Sequence, residues 1–204
     1  SQICADLIRD GLLAPRMLGV LDWQALVDRW LRDYPGPGGV TTHWFGLGAL
    51  SDQVAAVIEC LARIRDGSRH APRVSGELAA DLISPWGRPA SAVVYAANGA
   101  DLSAARLTPC PAAEATLHLT VPQDPGVWAM PAQSRPSGEL LLPVADPLQV
   151  LYDLRQAPGD AAQTADRLRA DLHEVVAGWR ATSDASPMSP TEVQTLFMSF
   201  KKAV

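Results

Sequence analysis

The sequence predicts a domain of the α/β or α+β class. It would be a mixed sheet of a few strands flanked by helices, with a helical N-terminal segment and a helical C-terminal third. Three observations predict it. Apolar residues recur at helical spacing near both ends of the chain. Short β-branched or alternating runs occupy the middle. Helix-start signals of the Asp-Pro and Ser-Pro type punctuate the last third.

Ile3–Leu13 can form a short first helix that Gly11 weakens at its end. Asp22 is a good cap for a second. After it Trp23, Leu26, Val27, Trp30, Leu31 and Tyr34 form one apolar face, and Pro35 stops it. Residues 35–39, PGPGG, are the clearest break in the chain. Ser51–Asp66 predicts a third helix with Val54, Val57, Ile58, Leu61 and Ile64 on one side and Gly67 as its C-terminal cap.

Ser75 is placed to cap a short helix running to Leu82, which Ser84-Pro85 ends. Ser91–Ala97 (SAVVYAA) reads as a buried strand. Glu114–Val121 (EATLHLTV) alternates, and Gly138–Val144 (GELLLPV) is a third strand. Asp101–Leu107 between the first two has room for a short helix. Asp146-Pro147-Leu148-Gln149 then places a cap, a proline at the first helical position and a glutamine at the third. Asp160–Gln163 repeats that logic before a helix that buries Ala165, Leu168, Leu172, Val175 or Val176, and Trp179. Ser189–Glu192 opens a terminal helix.

The chain has 204 residues, of which 48% are hydrophobic and 19% charged, enough for one sizeable core or two small ones. Its net charge is −5. Residues 1–74 balance eight arginines against eight acids, so the excess acid lies beyond them. Neither half carries the basic surplus of a nucleic-acid-binding domain. Folding could still gather Arg63, Arg65, Arg69 and Arg73 into a DNA-facing patch. No apolar run reaches the roughly 18 residues of a membrane span, and no signal peptide is evident, so a cytoplasmic protein without membrane contact is expected.

The chemistry-bearing residues are sparse. Cys4, Cys60 and Cys110 have neither metal-ligand nor redox spacing and read as unreactive thiols. No two of His43, His70, His118 and His173 share an element at ligand spacing, and the alternation around His118 turns it towards solvent. The chain lacks GxSxG, and Val74-Ser75-Gly76 reads as a helix start. Gly36, Gly38 and Gly39 lack the Lys-Ser/Thr of a phosphate loop. A minimal nucleotidyltransferase would set paired carboxylates on the strand after a Gly-Ser helix start. Here that strand, Ser91–Ala97, contains no acid to hold metal ions. No catalytic residue, metal or cofactor is therefore expected. Of the six tryptophans most read as core anchors. Trp86 lies in a turn and is the best exposed contact residue.

Several segments occur in one order: LGVLDWQALVDRWLRDY (18–34), RVSGELAADLISPW (73–86), AVVY (92–95), AEATLHLTV (113–121), DPGVW (124–128) and VADPLQVLYDL (144–154), then Pro158-Gly159 and a helix. Their order resembles the antitoxin domain of the AbiEi-type antitoxins and transcriptional regulators over roughly residues 12–177. The resemblance implies a type IV antitoxin that opposes a nucleotidyltransferase-like toxin without needing a stable complex. It also implies that many members repress their own operon through a winged helix-turn-helix. No three-helix-plus-wing pattern with a basic recognition helix precedes SGELAAD here. The expected organisation is a helical region over 1–70 and an α/β antitoxin-like domain with C-terminal helices over 71–204. Tyr152, Asp153 and Arg155 belong to a matching segment and, with Trp86, are the candidate partner contacts. The two other readings are an operator-binding autorepressor and an enzyme with an unfamiliar site.

Overall fold

A computed structural model of the chain describes residues 2–14, 20–64, 70–130, 132–137, 140–157, 159 and 161–182. These fall into two compact units, one up to Gly36 and one from Pro37 onward.

The first unit contains α1 (Gln2–Arg9) and α2 (Trp23–Asp33). The first helix stops short of Leu13 because Gly11 takes a left-handed φ of +74°. The amides of Leu12 and Leu13 then fold back onto the Leu7 carbonyl at 2.8 and 3.3 Å. Leu7, Leu12 and Leu13 bury together, with Ile8, Ala25 and Leu26 packed against them. The Asp22 carboxylate accepts from the Ala25 amide at 2.9 Å, the cap its sequence position predicts.

The second unit is built on a mixed seven-stranded sheet. Its strands are β1 (Val40–Phe45), β2 (Arg73–Ser75), β3 (Ala92–Tyr95), β4 (Thr108–Pro109), β5 (Leu117–Val121), β6 (Gln133–Ser137) and β7 (Leu140–Val144), and they lie side by side in the order β4-β1-β5-β3-β2-β7-β6. The β3–β5 and β2–β7 pairs are parallel and the others antiparallel. Four helices complete the unit: α3 (Leu50–Arg63), α4 (Gly76–Ile83), α5 (Pro147–Gln156) and α6 (Ala161–Thr182). The α/β class is thus observed.

The break at PGPGG, not residue 70, precedes the sheet. β1 pairs with β5 from Val40↔Val121 to Trp44↔Leu117, so residues 40–63 belong with the α/β layer and not with a separate helical region. Gly39 makes this entry possible. It has φ +94°, and a Cβ there would lie 2.0 Å from the Val121 carbonyl oxygen.

Side chains alternate across a strand with period two, so the register separates two faces. Val74, Ala92, Val94, Leu117, Leu119, Trp44, Leu142 and Val144 share one face, and all are buried. Arg73, Ser75, Val93, Tyr95, His118, Thr120, Thr41 and His43 share the other. The first face is buried at these residues and exposed at Val40 and Thr42 of β1, and each fully buried leucine on it is worth about 1.5–3 kcal/mol of transfer free energy. The second carries most of the sheet's polar chemistry. Helices α4, α5 and α6 pack on one another, α4 and α5 also against β2, while α3 packs on β3 and the 3-10 turn at Ser103–Ala105. Val150, Leu151, Leu154, Ala165, Leu168 and Leu172 fill the helical layer.

Asp101–Leu107 therefore contains a 3-10 turn in place of an α-helix. Strand β5 begins at Leu117, since Ala112–Glu114 also forms a 3-10 turn. Gly67, the Ser189–Glu192 helix start, Asp160 and the Val176 and Trp179 side chains lie outside the described residues.

Candidate functional site

Three separated segments converge where β2 ends. Ser75 is its last residue, and Gly76, with φ +71°, turns the chain at once into α4. Tyr95 ends the neighbouring strand β3, paired in register with Arg73. Across from them Gln149 and Asp153 stand one helical turn apart on α5, on the same side of that helix.

Their polar atoms form one network. The Ser75 hydroxyl donates to Asp153 Oδ2 at 2.5 Å. The Tyr95 hydroxyl lies 2.8 and 2.9 Å from the two Asp153 carboxylate oxygens, so its single proton is shared between them. Gln149 Nε2 donates to Tyr95 Oη at 2.9 Å and to Asp153 Oδ1 at 3.0 Å. Ser75 is 0% exposed, Tyr95 1% and Gln149 5%, so the three donors are closed off from solvent. Burial pushes the Asp153 carboxyl up to about 6, and the hydrogen bonds from Ser75, Tyr95 and Gln149 oppose that rise only in part.

Ser75 occupies the cap position of α4 yet makes no side-chain cap bond, because its hydroxyl is committed to Asp153. Gln149 likewise sends its amide to Tyr95 and Asp153. Asp146 fills the expected role, accepting from the Leu148 amide at 2.8 Å. The network ties α5 to β2 and β3 and holds a carboxyl that changes charge near neutrality. The Ser75 hydroxyl lies buried within it.

The predicted contact residues are distributed around this core. The Asp153 carboxylate faces inward and is not presented to a partner. Tyr152 is half-buried, its phenol pushed up first by burial and then by the charge of Asp153. Arg155 is exposed near the end of α5. Trp86 is 52% exposed in the loop after α4. The Arg167 guanidinium of α6 sits 5.9 Å from its ring centroid, in cation–π range. The loop is pinned by two acids of α4. Asp81 accepts from the Trp86 amide at 3.3 Å and Glu77 from the Ala90 amide at 2.8 Å. A cleft of about 30 Å³ lies beside it, lined in part by Trp86, Arg88 and Thr164.

The arginines do not come together as a patch among the described residues. Arg63 is exposed at the end of α3 and pairs with Glu59 at 3.4 Å. Arg73 turns onto the carbonyls of Ala71 and Pro72 at 3.1 and 3.2 Å, with burial lowering its pKa. Arg65 and Arg69 lie outside the described residues.

Two clusters went unseen in the sequence. His43 on β1 and His118 on β5 are direct cross-strand partners, with Nδ1 atoms 2.9 Å apart and rings edge to face. His118 thus faces another imidazole and is half-buried, not turned to open solvent. Burial lowers its pKa first and the charge of His43 second, while Glu77 acts in the opposite direction. The second cluster centres on buried Gln53 of α3. Its Nε2 donates to the carbonyls of Gly46 and Gly48, both at 3.2 Å, and its Oε1 accepts from Thr116 at 2.7 Å. The signal for both was β1, whose VTTHWF is rich in β-branched and aromatic residues but mixes polar and apolar ones on each face. Cys4, Cys60 and Cys110 are half-buried and not in disulfides.

Among the described residues, no group of three or more His, Cys, Asp or Glu side chains is placed to hold a metal ion, and no helix is long and apolar enough to cross a membrane. Fold and site together define an α/β domain whose most developed polar cluster is internal and braces helix to sheet. No protein-family model, curated protein or solved structure matches the chain.

Proposed function

We propose that the chain is an antitoxin-like regulatory protein of the AbiEi type, cytoplasmic, that counteracts a nucleotidyltransferase-type toxin and itself uses neither a catalytic site nor a cofactor. One observation carries the reading. The segments on which the resemblance rests, RVSGELAADLISPW, AVVY and VADPLQVLYDL, contribute Ser75, Tyr95, and Gln149 with Asp153 to a single internal network. The segments that carry the resemblance along the chain thus meet in space in one framework. The strand β3 supports it from another side. Val93 and Val94, where a nucleotidyltransferase would hold metal-binding acids, are apolar.

Contact with a partner falls in this reading to the outer surface, where Trp86 presents its ring and Arg155 its charge. The test is co-expression in a host that tolerates neither toxin activity nor its own rescue by other means. A nucleotidyltransferase-like toxin is induced with and without this chain. Restored growth supports the reading, and continued arrest with the chain soluble and abundant overturns it.

A further inference from the structure

The cross-strand histidines lie outside the network around Asp153, and their arrangement carries a chemistry of its own. His43 and His118 sit on the polar face of the sheet, directly opposed on antiparallel strands. Next along that face Thr41 and Thr120 pair through their hydroxyls at 2.9 Å. On the far side of β1 the Cys110 amide donates to the His43 carbonyl at 3.1 Å. The backbone hydrogen bonds of His43 therefore point away from β5. That makes His43–His118 a non-hydrogen-bonded pair, the kind in which side chains approach most closely.

Neutral imidazole nitrogen is the commonest ligand for late first-row metals. Metal–nitrogen bonds of about 2.0–2.1 Å at a right angle place the two nitrogens about 2.9 Å apart, and a tetrahedral angle places them about 3.3 Å apart. The observed Nδ1–Nδ1 separation is 2.9 Å. We propose that His43 and His118 form a two-nitrogen site for one late first-row divalent cation, with water filling its remaining positions.

Binding replaces the hydrogen bond now shared by the two Nδ1 atoms. The ring that carries the Nδ1 proton shifts it to Nε2, so both Nδ1 lone pairs become available with no net proton lost. Both rings turn, by about 45° from the line joining the two nitrogens, to aim those lone pairs at one point. Both histidines are half-buried, so neither ring is sealed from solvent. The charge of Glu77 on α4 acts on His118 and favours a cation there. The ion would clip β1 to β5 and so fasten the first strand of the sheet unit to its neighbour.

The test uses the full chain, stripped with chelator, at about pH 7.5. Cu²⁺, Ni²⁺ and Zn²⁺ are titrated separately by calorimetry and followed by thermal melting. One ion per chain in the micromolar range, a raised Tm and Cu²⁺ as the tightest are expected. His43→Gln and His118→Gln should each weaken binding about tenfold or more. His70→Gln, whose ring stacks on Trp128, should not. Circular dichroism checks that the variants fold. Should His118→Gln fail to fold, His43→Gln and the imidazole nitrogen resonances of the unmodified chain carry the test. Absence of sub-millimolar binding, or binding retained in folded His43→Gln, overturns the assignment.

Discussion

Ser75, the last residue of β2, donates its hydroxyl to the carboxylate of Asp153 in the middle of α5, 78 positions further along the chain. The contact makes the α4 turn, the β3 end and α5 interdependent. Truncating Asp153 to alanine would remove the acceptor that buried Ser75, Tyr95 and Gln149 share. A loss of about 2–4 kcal/mol is expected, read as a lowered urea midpoint. Asp153→Asn keeps the shape and one acceptor oxygen and should cost clearly less.

The same carboxyl sets a pH dependence whose sign is opposite to the usual one for an aspartate. Its pKa rises from the ordinary 3.8 to about 6 in the fold. Between those values the folded chain holds the proton and the unfolded chain does not. Stability from this group is full below pH 3.8 and is lost as pH rises through about 6, to the extent of about 3 kcal/mol. His118 works the other way. Its folded pKa is lowered, so its contribution is full above 6.5 and is lost as pH falls towards the lowered value. Urea midpoints of the unmodified chain and Asp153→Asn should therefore diverge in favour of the unmodified chain as pH drops from about 7 to about 4.5. A constant difference across that range would contradict the buried, proton-holding Asp153.

Gln53 should prove as necessary to β1 as Asp153 is to α5. Gln53→Ala leaves the Gly46 and Gly48 carbonyls without its amide and Thr116 without an acceptor. The expected cost is about 1–3 kcal/mol, seen in chemical denaturation. Gly39→Ala should be worse, since it combines backbone strain of about 1–3 kcal/mol with collision against β5.

Much of the fold was readable because its signals are local. Asp22 and Asp146 cap helices as their positions predict, and the apolar runs of β3, β5 and β7 mark themselves. The missed strands have physical reasons for their silence. β2 is three residues long. β6, QSRPS, is an edge strand that accepts Pro136 and contributes no large apolar side chain. β1 mixes polar and apolar residues on both faces, which hides its alternation. The site was less legible than the fold, because it depends on register. Ser75 and Gln149 carry the residue types of helix caps, and only the meeting of β2, β3 and α5 turns them inward. His43 and His118 meet only once β1 is known to exist and to pair with β5.

Trp86 should separate stability from function. With half its surface exposed, Trp86→Ala should change stability by no more than about 0.5–1 kcal/mol. If the loop after α4 carries the partner contact, the same variant should lose growth rescue while remaining soluble. Full rescue by Trp86→Ala would move the contact elsewhere.

The central claim is that the network of Ser75, Tyr95, Gln149 and Asp153 only braces the domain, and that the proposed opposition to a toxin uses no chemistry of its own. Growth rescue by the unmodified chain and by folded Asp153→Asn, compared side by side against one nucleotidyltransferase-like toxin at matched soluble levels, tests it most directly. Equal rescue by both is the predicted result. Rescue by the unmodified chain alone would give the Asp153 carboxylate an active role and contradict the claim, as would rescue by neither.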